Sequence, residues 1–360
     1  MNKLKGTPNQ SLNATTGSPV AAVDVANGRK KRGSLRSMVM AAAESLHPSY
    51  FALVMATGII SIAANMLGMG FIAISLFWFN LVAFVTLWGL TVLRVVYFPR
   101  RFSADLFDHG LGPGFFTLVA GTGVLGSQFV VIMRDYRAAA VLWLLAFLLW
   151  LILIYTIFAG LIVKENKPSI AEGINGGWLT AVVATQSVAV LSGLIGHYFA
   201  SYQSQLLFFA LVMWLFGGML YIWIISLIFY RYFFFKFSPQ DLTPPYWINM
   251  GAVAISTLSG TILIANTPNF TFFGEILPFL KGFTMFFWAT GTWWIPMLIV
   301  LGIWRHLYRK LPLTYSPLYW GAVFPLGMYT AATFQLATVN DLPFITFIPQ
   351  FFIYLAMAAW

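Results

Sequence analysis

The chain has 360 residues, 60% of them hydrophobic and 8% charged, with ten Asp and Glu against twenty Lys and Arg and no cysteine. A soluble protein carries about 25% charged residues, so this composition excludes a water-soluble globular domain, and the missing cysteines exclude disulfides, thiolate metal sites and thiol catalysis. The formal charge of +10 raises nucleic acid or acidic lipid as a partner, but the charges are distributed along the chain in a way that gives a simpler account.

Residues 1–46 are polar, rich in Gly, Ser, Thr, Asn and Pro, and contain the basic run Arg29-Lys30-Lys31-Arg32. They lack the apolar core of a secretory signal. They are expected to form a disordered, basic cytoplasmic tail; a lipid-binding basic patch is the alternative.

Ten apolar stretches follow, at residues 49–67, 72–96, 112–133, 138–162, 175–196, 205–230, 246–266, 277–303, 317–338 and 344–360. A helix needs about 20 apolar residues to cross a ~30 Å hydrocarbon core. The expected fold is therefore an all-α integral membrane domain over residues 47–360, with ten transmembrane helices arranged as five hairpins. With the tail on the cytoplasmic side, seventeen Lys and Arg residues fall inside and only Arg134, Arg137 and Lys281 outside. That bias is the positive-inside rule. It accounts for most of the net charge, leaves no readable nucleic-acid surface, and places the protein in a plasma membrane with its N-terminus in the cytoplasm.

The odd-numbered spans begin alike. Span one has Pro48, Tyr50, Phe51, then Thr57-Gly58; span three has Pro113, Phe115, Phe116, then Thr122-Gly123. Span seven opens Pro245-Tyr246-Trp247 and span nine Pro317, Tyr319, Trp320, with Gly327 ten residues on, while span five has only Gly177-Trp178. Proline suits a helix start and an aromatic residue suits the membrane edge. The recurrence every 65–70 residues marks a five-fold repeat of helical hairpins.

Composition separates the two members of each hairpin. Residues 251–265 hold nine Gly, Ala, Ser or Thr in 15 positions and 180–196 hold nine in 17; residues 141–161 hold four in 21 and 206–229 four in 24. Small residues permit close helix contact, which lipid does not reward. The odd helices are thus expected inside and the even ones outside. Five parallel helices on one ring leave an axial space, so a central pore is expected, with tight dry packing as the alternative.

The odd spans carry hydroxyls and amides and almost no charge. Thr57, Gly58, Thr122, Gly123, Thr185, Gln186, Thr257 and Thr330 are the candidate pore-lining residues among them. Such a path can offer donors to an anion without holding it tightly, and it lacks the acidic chain of a proton relay. The spans offer no acid/base or metal set, so a membrane-embedded enzyme is a distant alternative, and no metal or cofactor is expected. In span nine, Pro325 and Gly327 are expected to kink the helix, and the neighbouring Phe324 is well placed to plug a path.

Ten spans in five hairpins, Ala56-Thr57-Gly58 after His47-Pro48, and Trp320 followed by Phe324-Pro325-Leu326-Gly327-Met328-Tyr329 resemble the tellurite-resistance/C4-dicarboxylate transporter family, whose relatives include slow-type anion channels, malate permeases and sulfite exporters. The resemblance covers about residues 46–360. It implies a pore lined by helices 1, 3, 5, 7 and 9, closed by a phenylalanine that matches Phe324, in each subunit of a homotrimer. It implies transport of small anions. C4-dicarboxylates such as malate are the expected substrate, and inorganic anions (chloride, nitrate, sulfite) the alternative.

Overall fold

A computed structural model describes residues 35–360. Nine of its helices are long and apolar enough to cross a membrane, and a tenth, shorter apolar helix follows. In chain order they are α1 (Pro48–Met66), α2 (Gly70–Tyr97), α3 (Gly112–Met133), α4 (Tyr136–Val163), α5 (Gly176–Tyr198), α6 (Ala200–Phe234), α7 (Pro244–Ala265), α8 (Leu277–Tyr308), α9 (Pro317–Val339) and α10 (Pro343–Ala359). Residues 1–34 of the expected tail lie outside the described residues. Its remainder departs from the expected disorder, because Leu35–Glu44 is helical. The run Met38 to Ala43 has good helix formers and no breaker, and Ala43 is fully buried.

The odd helices form a closed ring in chain order: α1 packs on α3, α3 on α5, α5 on α7, α7 on α9, and α9 returns to α1. Each even helix lies outside, against the odd helix of its own hairpin and, less extensively, the odd helix of the next. Between 67% and 94% of the most apolar stretch is buried in the odd helices, against 22–56% in α2, α4, α6 and α8. Phe71, Val141, Tyr155, Trp223 and Trp293 on the outer layer are exposed, as bulky residues facing acyl chains are expected to be.

Every odd helix begins with a short 3₁₀ turn, at Pro48, Gly112, Gly176, Pro244 and Pro317. The fixed φ of proline and its missing N–H suit that position. All five starts lie at the same end of the ring, and none carries an acidic residue in its first turn.

That end is closed by basic side chains. Arg94 of α2 donates to Leu46 O, Lys164 after α4 to Phe107 O, Arg231 of α6 to Ile174 O, and Arg305 of α8 to Leu242 O. In each case the acceptor precedes the odd helix of the same hairpin, so the cation ties the end of the hairpin back to its beginning. Arg94 and Arg231 are buried and also meet Asp105 and Asp241. Four of the charges that set the topology are therefore structural clamps as well.

Candidate functional site

The axis of the inner ring holds two small cavities. The inner one, about 20 Å³, lies toward the helix starts and is lined from all five odd helices. The outer one, about 50 Å³, is likewise lined by all five. Against the ~10–15 Å³ that one water needs, the first has room for a single water and the second for a few waters or one small ion.

The lining follows one register. Counted from Pro48, Pro113, Gly176, Pro244 and Pro317, every lining residue of both cavities falls 1, 4, 7, 11, 14 or 18 positions along its helix. Alternating steps of three and four keep one face of an α-helix toward a common axis. The layer at 4 contains Ala52, Thr117, Thr180, Ile248 and Gly321; the layer at 11 contains Ile59, Val124, Ser187, Ile255 and Met328; the layer at 18 contains Met66, Val131, Leu194, Ile262 and Gln335.

Between the cavities lies the layer at 7. By the same register it holds Met55, Ala120, Val183, Gly251 and Phe324. Ala120 and Gly251 bring almost no side chain to this level; Pro325 packs against Gly251, and the Phe324 ring is fully buried. Phe324 also borders the inner cavity. The register thus sets one aromatic ring, Phe324, between the two cavities, at the level of Met55, Ala120, Val183 and Gly251.

Pro325 lies inside the unbroken helix Trp320–Val339. It packs on Gly251: a Cβ there would fall 2.7 Å from Pro325 Cγ. Gly327 similarly admits Ile59 and Ile60 of α1, which would stand 2.9 Å from an added Cβ. The two residues expected to kink α9 are points at which it packs closely on its ring neighbours, Pro325 on α7 and Gly327 on α1.

The remaining sequence candidates do not line the axis. Thr57, Thr122 and Thr185 stand nine positions from the helix start, Gly58, Gly123 and Gln186 ten, and Thr257 and Thr330 thirteen. None of these positions is on the axial face. Gly58 faces Asn80, Val124 and Gln128, and Gly123 faces Ser187 of the adjacent helix. Thr122, Thr257 and Thr330 donate to carbonyls in their own helices. Thr57 and Thr185 accept indole N–H groups from outer helices, and Gln186 Nε2 donates to Trp214 O.

Those indole bonds belong to a belt that links every outer helix to the inner helix of the following hairpin. Asn80 of α2 donates to Gln128 of α3 (2.7 Å), Trp150 of α4 to Thr185 of α5 (2.9 Å), and Trp214 of α6 to Ser256 O of α7 (2.8 Å). Trp288 of α8 donates to Thr333 of α9 (3.1 Å), and Trp360, just after α10, closes the circle on Thr57 of α1 (2.9 Å). An indole N–H in hydrocarbon has no water to bond, so the inner helices supply its acceptor. Two of the candidate pore-lining hydroxyls, Thr57 and Thr185, are among these acceptors.

Sequence reasoning missed the axial Ser49, Thr117 and Thr180, and counted Ser127, Ser187 and Gln335 among the polar groups of the odd spans without choosing them as lining residues. Aligning the five helix starts and stepping by three and four would have found them, with span seven started at Pro244 rather than Pro245. No charged side chain lines either cavity, and among the described residues no cluster of His, Asp and Glu is arranged to hold a metal ion.

The profile of the voltage-dependent anion channel family (SLAC1) matches residues 45–360. An uncharacterized membrane protein of Mycobacterium tuberculosis (strain CDC 1551 / Oshkosh) is 37% identical over 143 residues, covering 39% of this chain and 71% of that protein. An uncharacterized transporter of Methanocaldococcus jannaschii is 26% identical over 300 residues, 81% of this chain and 84% of its own. A sulfite efflux pump of Arthroderma benhamiae is 24% identical over 342 residues, 89% of each. With a match that spans the whole ten-helix domain, the chain is a multi-pass membrane protein and belongs to the voltage-dependent anion channel family, SLAC1.

Proposed function

We propose that this protein passes small inorganic anions along the axis of its inner ring and that Phe324 holds that path shut. The observation that supports the reading is the shared register: five helices turn the same face to one axis, and between the two cavities on it stands a layer that contains the fully buried Phe324.

Helix polarity favours an anion over a cation at the entrance. Five helix starts, each the positive end of a dipole, surround the inner cavity with no acidic residue in their first turns. The nearby carboxylates Asp105 and Asp241 are held by Arg94 and Arg231. The clamps and free cations at that end add to the attraction, and the excess of Lys and Arg makes it the cytoplasmic end.

Size and charge favour a small ion over malate. A C4-dicarboxylate carries two charges several ångströms apart, and the axis has no cationic side chain to meet either. The sulfite pump among the relatives fits the same choice. A negative membrane interior drives anions outward by about 2.3 kcal/mol per charge per 100 mV, so an uncoupled path releases them from the cell.

Liposome flux with chloride, nitrate, sulfite and malate tests both parts. Phe324→Ala should raise flux of the small anions tenfold or more, equivalent to ~1.4 kcal/mol or more off the barrier, with malate slowest. A folded F324A protein with unchanged flux removes the gate; malate outrunning chloride and nitrate reverses the substrate reading.

A further inference from the structure

The polar side chains on the axis do not present the same groups to an ion. In the outer cavity, Ser127 and Ser187 donate their hydroxyl protons to Gly123 O (2.9 Å) and Ala184 O (2.7 Å). Their lone pairs are what remain to face the axis. Gln335 borders the same cavity and is half-buried. Among the described residues no protein group bonds its side-chain amide. A primary amide carries two N–H donors, and this one stands in a layer whose other members are Met66, Val131, Leu194 and Ile262.

Its height on the axis is what gives it a task. On the inner side of Phe324 an anion meets five helix starts. Beyond Phe324 it travels toward five helix ends, where the dipoles present carbonyl oxygens and oppose it. The walls there are apolar apart from the two serines and Gln335. An anion that leaves water in that half needs a donor, and a hydrogen bond to a charged partner is roughly twice as strong as one between neutral groups.

We infer that the outer axial cavity is a binding site for one small monovalent anion of the nitrate or chloride class, held by the side-chain amide N–H of Gln335. This rests on the anion path proposed above and adds a residue-specific site to it. The cavity's volume admits one such ion, and the serine hydroxyls, already donated to backbone carbonyls, leave the Gln335 amide as its donor.

Purified full-length protein in detergent, titrated with sodium nitrate against sodium gluconate at equal ionic strength, gives a direct reading. Nitrate should raise the unfolding temperature of the wild type. Gln335→Leu should weaken the apparent nitrate affinity by about tenfold or more, the loss expected for one hydrogen bond to a charged group. Gln335→Met, unbranched and close in volume, serves the same purpose if the leucine variant does not fold. A nitrate response of wild-type size in either variant, or none in the wild type, overturns the site. Flux through Phe324→Ala is measured separately, so a conducting F324A protein beside an unaltered nitrate response in Q335M leaves the path standing and removes only Gln335.

Discussion

The inner and outer helices divide the same residue types in opposite ways. The inner five share one register, lie largely hidden from the surroundings, and turn mostly aliphatic side chains toward their common axis. The outer five differ in length and exposure, from the 35 residues of α6 to the 17 of α10, yet each hairpin's outer member reaches inward with at least one side-chain N–H, and α4 with two. Polar groups therefore gather where the two layers meet rather than where a solute would pass. In hydrocarbon a donor on an outer helix needs an acceptor within the protein, and the inner helices offer hydroxyls to Trp143, Trp150, Trp288 and Trp360, an amide oxygen to Asn80 and a backbone carbonyl to Trp214.

Glycine substitutions give the largest contrast between the layers. At Gly176, in the inner ring, an added Cβ would lie 2.4 Å from Pro245 O and 2.6 Å from Tyr246 Cα. These are backbone atoms of the next ring helix and cannot rotate away. Gly176→Ala should destabilise the protein by about 1–3 kcal/mol, read as a lower unfolding temperature in detergent. Gly89 of outer α2 has nothing within 4 Å of the same position. Gly89→Ala should instead add about 0.5–1 kcal/mol through helix propensity. Equal responses at the two sites would erase the distinction between a packed ring and a loosely covered belt.

The belt itself predicts a smaller effect. Trp150→Phe keeps an aromatic ring between α4 and α5 but loses the N–H to Thr185, which should cost about 0.5–1.5 kcal/mol. Thr185→Val should cost somewhat more, because its hydroxyl also donates to Ala181 O (2.8 Å), and the double variant little more than Thr185→Val alone, because both changes remove the indole bond. Since Thr185 faces Trp150 and not the axis, its replacement should leave the anion preference of the F324A protein unchanged. A shift in preference there would return Thr185 to the path.

Much of this architecture was legible in the residues. Ten spans, five hairpins and small-residue helices inside all followed from apolar length, repeat spacing and composition. The axial face did not, because composition marks which helix is inside and says nothing of which side of it faces the centre. Thr57 and Thr185 were chosen for their hydroxyls, and those hydroxyls face Trp360 and Trp150. Gln335, eighteen residues from Pro317, needed the register shared by all five starts. The clamps were hidden for another reason: Arg94 and Leu46 are brought together only when the hairpin closes, and a count of cations on each side treats every one alike.

The smallest expected effect concerns the inner mouth, where the ring meets water. His47 accepts the Ser49 N–H on Nδ1 at 3.1 Å and so caps α1, whose Ser49 borders the inner cavity. Burial lowers its pKa below the usual histidine value, Arg94 lowers it further, and Asp105 opposes them. The folded protein thus holds His47 neutral while the unfolded chain takes up a proton at about pH 6.5. Stability from this residue is complete above that pH and declines as the pH falls below it, when a protonated Nδ1 can no longer accept the Ser49 N–H. His47→Asn keeps a capping side chain without a titration in this range. Between pH 7 and 5 the unfolding temperature of the wild type should fall more steeply than that of H47N, by an amount smaller than the glycine effect. Parallel slopes would mean that the cap at the first ring helix does not couple the mouth to proton concentration, and that inner and outer layers meet acid alike.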